Sequence, residues 1–264
     1  MQRRTFLGLS ATLLGRPAQA ARRDPAMTAL LALSEAQRGI VAGVTDSATL
    51  SLQDGIGVRL AGIEPVLATP GGTEHWEDAA RALLGLLALE RTVSLRGAAA
   101  GLDRYGRVVA QAVRDDGLWL QGMLLEAGAA RVQPPVAWTL SAAMLRREAA
   151  ARRHRYGIWQ SPRYAVRKPG ELQHEGGGFV VVEALIAKAE DRHGTFWLDL
   201  GDAAAARIDR PARQRFQAAG LDPRLFAGAR LRLRGWVAWQ GRPVLQLEYP
   251  EAVEALPPRR RAPW

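Results

Sequence analysis

The clearest candidate for chemistry in this chain is the stretch Asp103-Arg104-Tyr105-Gly106-Arg107. It separates two apolar runs, residues 91–95 and 108–113, that have the composition of strands. A tyrosine and two arginines at such a turn make a poor core but a good anion receptor, because a guanidinium group donates fixed, paired hydrogen bonds to phosphate oxygens. The stretch therefore predicts a turn that binds phosphate.

The elements that must position this turn follow the pattern of a small barrel. From residue 39 onwards apolar and polar residues alternate, and Asp54-Gly55 marks a hairpin turn. Besides the two runs beside the turn, the alternation predicts strands near residues 40–44, 50–52 and 58–63. Helical spacing predicts helices over residues 74–87, 118–127 and 142–155. Five strands and three helices in this order predict a barrel that carries helices.

Composition limits the possible classes of site. The chain has 264 residues, enough for two small domains, and a net charge of +10 that comes almost entirely from arginine. An arginine-rich surface suits phosphate groups, but it also follows from GC-rich coding, so charge alone is weak evidence for a nucleic-acid partner. The absence of cysteine excludes disulfides, thiolate metal sites and cysteine nucleophiles.

Residues 1–20 resemble a twin-arginine export signal. Arg3-Arg4 precedes an apolar run over residues 6–14, and Ala18-Gln19-Ala20 has the form of a cleavage site. The run is too short to span a bilayer, so an uncleaved anchor is the weaker alternative. We expect a periplasmic or secreted protein that has no membrane span after cleavage. Residues 21–38 are expected to lead into the first domain as a short helix.

Four segments resemble the staphylococcal-nuclease (thermonuclease) family in order and spacing. They are VRLAGIE at residues 58–64, DRYGRVVA at 103–110, LQGMLLEAGAARV at 120–132 and GIW at 157–159. The resemblance implies a five-stranded OB-like barrel with helices over residues 39–160, within a β-rich α+β chain. For active members it also implies calcium-dependent cleavage of phosphodiester bonds in DNA or RNA.

The resemblance assigns catalytic roles to three residues. Arg59 and Arg107 match the two arginines that neutralise charge on the phosphate oxygens. Glu64 matches an aspartate that binds Ca²⁺, so it is a candidate metal ligand, and Asp46 is a second candidate whose alternative role is to stabilise a turn. Tyr105 and Arg104 would lie beside the nucleotide.

The same comparison shows which catalytic groups the sequence lacks. Ala48 stands where active members have a second calcium-binding aspartate, and an alanine side chain has no oxygen to donate. Leu67 stands where they have the glutamate that acts on water. Glu74, His75 and Glu77 are alternative polar groups nearby, although acids at a helix start also stabilise the helix dipole. Residues 133–135 replace a tyrosine on which nucleotides stack.

The second half predicts a smaller β-rich, OB-like domain over residues 179–256, after a linker at 161–178 and before a disordered tail at 257–264. The predicted strands cover residues 179–186, 195–200, 230–238 and 244–247, and the predicted helix covers 211–219. Alternation places Arg232, Arg234 and Trp236 on one strand face, a pattern that single-strand binding proteins use. A solvated arginine face beside a packed tryptophan is the alternative.

Three functions remain open from sequence alone. The first is hydrolysis of DNA or RNA, which the retained arginines favour. The second is binding of nucleic acid or another polyanion without hydrolysis, which Ala48 and Leu67 favour. The third is recognition of cell-envelope polyanions or a protein partner through the second domain.

Overall fold

The computed structural model describes residues 24–67, 75–174, 177–201 and 203–257. The chain divides into two compact units between Ser161 and Pro162. The signal-like segment 1–20, Glu74 and most of the predicted tail lie outside the described residues. Within the described ranges, no helix has the length and apolar character needed to cross a membrane.

A closed five-stranded barrel forms the centre of the first unit, which confirms the predicted fold. Its strands are β1 (Glu35–Asp46), β2 (Thr49–Leu52), β3 (Gly57–Leu60), β5 (Thr92–Arg96) and β6 (Val108–Arg114). The strand order is β1-β2-β3-β6-β5, and β3 and β6 pair in parallel while the other pairs are antiparallel. The long strand β1 pairs with β2 through one end and with β5 through the other, so a single strand closes the barrel.

Helices and a small sheet cover the barrel. The helices are α1 (Pro25–Ala32), α2 (Trp76–Ala88), α3 (Leu120–Glu126) and α4 (Trp138–Arg153). The sheet joins β4 (Ile63–Glu64) to β7 (Arg131–Val132). Besides the three helices predicted for the domain, the described part of this unit contains α1, inside the segment 21–38 where the sequence predicts a short helix. Asp24 caps this helix by accepting a hydrogen bond from the Ala26 amide, and Pro25 occupies its first position.

The second unit repeats the strand order of the first. It contains β8 (Gly178–Leu185), β9 (Lys188–Arg192), β10 (Thr195–Asp199), β11 (Ala205–Ile208), α5 (Arg210–Ala218), β12 (Arg230–Trp239), β13 (Pro243–Gln246) and β14 (Val253–Ala255). The pairing runs β9-β10-β11-β13-β12-β8, with β11 and β13 parallel. The consecutive strands β8 and β9 take the place that β1 alone takes in the first unit. This is the OB-like order that the sequence predicts.

The segment predicted as a linker, residues 161–178, contains ordered structure in its described part. It forms 3-10 helices at Pro162–Tyr164 and Pro169–His174. Tyr164 and Leu172 are buried, and Leu172 belongs to the core of the second unit. The Arg167 amide donates to the Val181 carbonyl at 2.8 Å, which attaches the segment to β8. Proline and glycine therefore mark turns that pack on the second unit.

Candidate functional site

Arg59 lies in β3, where it pairs with Thr49 of β2 and Val109 of β6. Its guanidinium donates hydrogen bonds to the carbonyl oxygens of Ala48 and Leu60, both at 3.2 Å, and of Ile63 at 2.7 Å. Burial lowers the pKa of Arg59, while the nearby charge of Asp46 opposes that shift. The arginine therefore binds the backbone of three segments at the barrel rim.

The turn at residues 103–107 is organised by Asp103. Its carboxylate accepts hydrogen bonds from the backbone amides of Tyr105 and Arg107 and from Arg107 Nε at 2.8 Å. Burial would raise the pKa of Asp103, but these bonds together lower it. Gly106 has φ +75°, a left-handed conformation that favours glycine. The turn is thus fixed by its own side chains.

Arg107 and Arg59 both donate hydrogen bonds to the dipeptide Ala48-Thr49. Arg107 Nη1 donates to Thr49 Oγ1 at 3.1 Å, next to the Ala48 carbonyl that Arg59 binds. The structure therefore brings together the two arginines that the sequence predicts to hold phosphate. Each of them also makes hydrogen bonds within the protein.

Tyr105 and Arg104 form the exposed tip of the turn. The tyrosine side chain is 64% exposed. The guanidinium carbons of Arg104 and Arg107 lie 4.8 and 4.9 Å from the centre of its ring. Arg104 is exposed and has no carboxylate partner among the residues that the structure describes. The tip therefore presents a cation and an aromatic ring to solvent.

Glu64, the candidate calcium ligand, is buried in an ion pair. Arg131, its neighbour across the β4–β7 sheet, donates to Glu64 Oε2 through Nε at 2.7 Å and Nη2 at 2.6 Å. Burial raises the pKa of Glu64, and the Arg131 charge opposes this shift. Glu148 of α4 is also buried, and it accepts hydrogen bonds from the Val132 amide and Arg152. Glu64 is therefore part of a buried network of alternating charges.

The remaining acids nearby have other partners. Asp46 Oδ1 accepts a hydrogen bond from the Ala48 amide at 2.7 Å, which is the turn-stabilising role considered above. Glu77 and Asp78 form ion pairs with Arg81 on the exposed side of α2. His75 is exposed at the start of that helix. Leu67 is 55% exposed, where active relatives would need a carboxylate.

These residues do not fit a bound calcium ion. Ca²⁺ prefers six to eight oxygen ligands, several of them carboxylates. Here the side chain of Ala48 has no oxygen ligand to offer, and the Glu64 carboxylate is bound by Arg131. The Arg59 guanidinium already donates to the backbone carbonyl oxygens of Ala48 and Ile63. Over the described ranges, no three side chains of His, Cys, Asp or Glu form a cluster that could hold a metal ion. The protein's own cations thus surround the positions where a metal would be expected.

The predicted arginine face of the second unit is mostly not exposed. Arg234 is 1% exposed and forms an ion pair with Glu254 of β14. Arg232 forms ion pairs with Glu183 of β8 at 2.6 Å and with Glu254 at 3.3 Å. The two arginines are thus not solvent-facing phosphate contacts, because acids on the neighbouring strands neutralise them. Trp236 remains 51% exposed.

A closed barrel of this strand order, with two arginines at its rim beside an exposed tyrosine, defines a nuclease-like OB barrel. Residues 57–161 match the family of staphylococcal nuclease homologues. The match and the barrel together show a staphylococcal-nuclease-like domain in the first unit. The matched residues are less than half of the chain and begin at β3, after Asp46 and Ala48. No curated protein matches the chain.

Sequence reasoning missed several residues that matter to the site. Arg131 lies inside a recognised segment, but only the β4–β7 pairing shows that it binds Glu64. Trp138 is 57% exposed, whereas Trp119 and Trp159 are buried. No signal in the sequence marked Trp197, Arg207 and Gln246, which strand register aligns in the second unit.

Proposed function

We propose that the first unit binds nucleic acid, and that it does so without metal-dependent hydrolysis. The observation that carries this proposal is the buried ion pair between Glu64 and Arg131. When a buried carboxylate is already paired with a guanidinium, replacing that partner with a hydrated cation lowers the free energy little. Ala48 and Leu67 replace the other two acids, so none of these three family positions offers a free carboxylate to hold calcium or to activate water.

The turn at residues 103–107, which keeps the residues expected to contact nucleic acid, supports binding of nucleic acid. The exposed tip of Tyr105 and Arg104 combines a ring that can stack on a base with a cation that can pair with phosphate. Asp103 fixes the turn, so little conformational entropy is lost when a ligand binds. A single-stranded segment of DNA or RNA offers both a phosphate and an accessible base.

Hydrolysis is the second candidate, because Arg59 and Arg107 lie side by side as phosphate-holding arginines would. If only the metal ligands were lost, Ala48→Asp combined with Leu67→Glu should create calcium-dependent cleavage. We expect this double variant to stay inactive, because Arg131 still holds Glu64 and Arg59 still binds the carbonyls of Ala48 and Ile63.

The test measures binding and cleavage on the same sample. Fluorescence anisotropy of labelled oligonucleotides should show binding by the purified protein, and Arg104→Glu with Tyr105→Ala should weaken it by about 10-fold or more. Gel analysis of those oligonucleotides should show full-length strands with either Ca²⁺ or a chelator. Cleavage that requires Ca²⁺ would overturn the non-catalytic proposal, and an unchanged affinity of the double variant would overturn the binding site.

Export remains a separate proposal that rests on the sequence of residues 1–20. Arg3-Arg4 and the following apolar run support a periplasmic or secreted location. Cell fractionation and N-terminal sequencing test it: a mature chain that starts after Ala20 is expected, and an intact chain confined to the cytoplasm would contradict it.

A further inference from the structure

Strand register in the second unit aligns four side chains that lie far apart in the sequence. Trp197 of β10 is opposite Arg207 of β11, which is opposite Gln246 of β13, which is opposite Trp236 of β12. Directly opposed residues share one face of a sheet. We call this set the indole face. Its two tryptophans are separated by three strand spacings of about 4.8 Å each, roughly 14 Å in total.

Trp236 is both exposed and held in place. The residue is 51% exposed. The buried ring of Phe179, opposite it on β8, contacts it edge to face with ring centres 6.0 Å apart. Trp197 at the other end is half-buried. A fixed, exposed indole adds little to the core and is preorganised for stacking on a flat apolar group.

The middle of the indole face presents hydrogen-bonding groups and positive charge. Arg207 Nε donates to Gln246 Oε1, and Gln246 Nε2 donates to Asp209 Oδ2 at 3.2 Å. Within the described ranges Arg207 has no ion pair, so its charge is not neutralised by a carboxylate. Arg242, in the bend directly before β13, likewise has no ion pair within those ranges.

The acids near this face are already neutralised or bonded. Glu190, opposite Trp197 on β9, forms ion pairs with Lys188 and Arg192. Asp209 accepts hydrogen bonds from Gln246 and from the Ala212 amide at the start of α5. Asp199, which alternation places on the same side of β10 as Trp197, accepts a hydrogen bond from the Gly201 amide. Asp199 and Asp209 have no ion pair in the described ranges, so the indole face carries both signs of charge, and Arg207 supplies the positive charge between the two tryptophans.

We propose that the indole face binds single-stranded nucleic acid, with bases stacked on Trp236 and Trp197 and a phosphate paired with Arg207. Two indoles on either side of a cation can stack on two bases of a single strand while the cation pairs with a phosphate between them. Duplex bases are already stacked on one another, so a duplex cannot use the indoles in this way. This site goes beyond the proposed function, because it uses other residues in the other unit.

Photochemical crosslinking locates the site directly. The full chain is irradiated with single strands of about ten nucleotides that carry 5-iodouracil, in one DNA arm and one RNA arm, and crosslinked peptides are mapped by mass spectrometry. We expect crosslinks at Trp236 and Trp197. The arm with the higher yield identifies which nucleic acid the face prefers.

Affinity measurements with matched variants test the energetic role. Trp236→Ala and Trp197→Ala should each weaken binding to the single strand by roughly 5- to 100-fold, the range for loss of one stacked base. Trp236→Phe should recover part of that loss. Trp239→Ala is the control, because Trp239 is 64% exposed on the same strand but lies on the other side by alternation. That variant should keep its affinity within about twofold.

The outcomes separate this proposal from the one for the first unit. Variants at Trp236 and Trp197 that fold and bind as tightly as the parent protein would overturn the indole face, whatever the Arg104 and Tyr105 variants do. Crosslinks confined to Tyr105 would overturn it as well while supporting the first site. A concentration-dependent dimer that Trp236→Ala abolishes would identify a second copy of the chain as the occupant, which also contradicts a nucleic-acid site.

Discussion

At the scale of single residues, arginine has two different roles in the first unit. Arg104 faces solvent, where its charge is available to a ligand. Arg59 binds three backbone carbonyl oxygens inside the protein. Arg131 binds the buried carboxylate of Glu64. Removing one member of a buried ion pair leaves an uncompensated charge, so these arginines are expected to matter for stability.

Replacing Arg131 with methionine tests that role. We expect Arg131→Met to lower the free energy of unfolding by about 3 kcal/mol at neutral pH, because Glu64 is left buried without its partner. Burial raises the pKa of Glu64 above its ordinary value of 4.5, and loss of Arg131 raises it further. The protonated carboxyl is the form that burial tolerates, so the loss of stability should be small near pH 4 and grow as pH rises through the folded-state pKa.

Denaturation curves at several pH values, monitored by circular dichroism, measure this effect. Arg153→Met is a suitable control, because Arg153 is an exposed residue of α4 without an ion pair in the described part of the chain. A variant at Arg131 that is as stable as this control at pH near 8 would show that the ion pair with Glu64 contributes nothing.

At the scale of elements, two glycines set the contact between the end of α3 and the segment after α4. Gly128 has φ +66° and Gly157 has φ +53°. A Cβ atom on Gly157 would lie 2.1 Å from the Gly128 carbonyl oxygen, and one on Gly128 would lie 2.2 Å from the Tyr156 carbonyl oxygen. The Ile158 amide donates to the Gly128 carbonyl at 2.9 Å, so the two backbones are in direct contact.

Gly157→Ala should therefore be strongly destabilising. The added methyl group meets backbone atoms that cannot move aside, and alanine is strained at a positive φ, so we expect a loss of about 3 kcal/mol. Calorimetry would show this as a lower unfolding temperature. Gly170→Ala provides the comparison, because nothing lies within 4 Å of its Cβ position and its φ is not positive. Equal unfolding temperatures for the two variants would contradict the contact as described.

At the scale of the whole molecule, the chain contains two units with the same strand order and a net charge of +10. The proposed contacts differ between them: a turn with Arg104 and Tyr105 in the first unit, and a strand face with Trp197 and Trp236 in the second. Each site combines aromatic side chains with an arginine that has no ion pair in the described part of the chain. Binding should therefore have both a stacking component, which salt affects little, and an electrostatic one, which salt weakens.

Salt dependence measures the electrostatic part. Raising KCl from about 50 to about 200 mM should weaken binding to a single strand about 20-fold, as expected when roughly three phosphates are contacted. Arg207→Gln should reduce the slope of log affinity against log salt by about 0.7, and Trp236→Ala should leave the slope unchanged while lowering affinity at every salt concentration. Identical slopes for Arg207→Gln and the parent protein would exclude a phosphate contact at that residue.

Much of the fold followed from local patterns. Alternating residues predicted the barrel strands, the 74–87 and 118–127 periodicities predicted α2 and α3, and four segments, DRYGRVVA among them, resembled the family. These signals are local, because strand alternation, helix spacing and turn glycines depend on neighbouring residues. The packed segment after Ser161 was harder to predict, because burial of Leu172 depends on distant elements.

The sequence alone determined the family resemblance, the two arginines on phosphate-holding positions and the loss of acids at Ala48 and Leu67, since each is a matter of residue identity at a known spacing. Tertiary structure decided how those residues are used. Pairing of β4 with β7 brings Arg131 to Glu64, β14 brings Glu254 to Arg232 and Arg234, and the register of four strands aligns Trp197 with Trp236. Such contacts join residues tens of positions apart, and strand pairing across the fold specifies them where local spacing cannot.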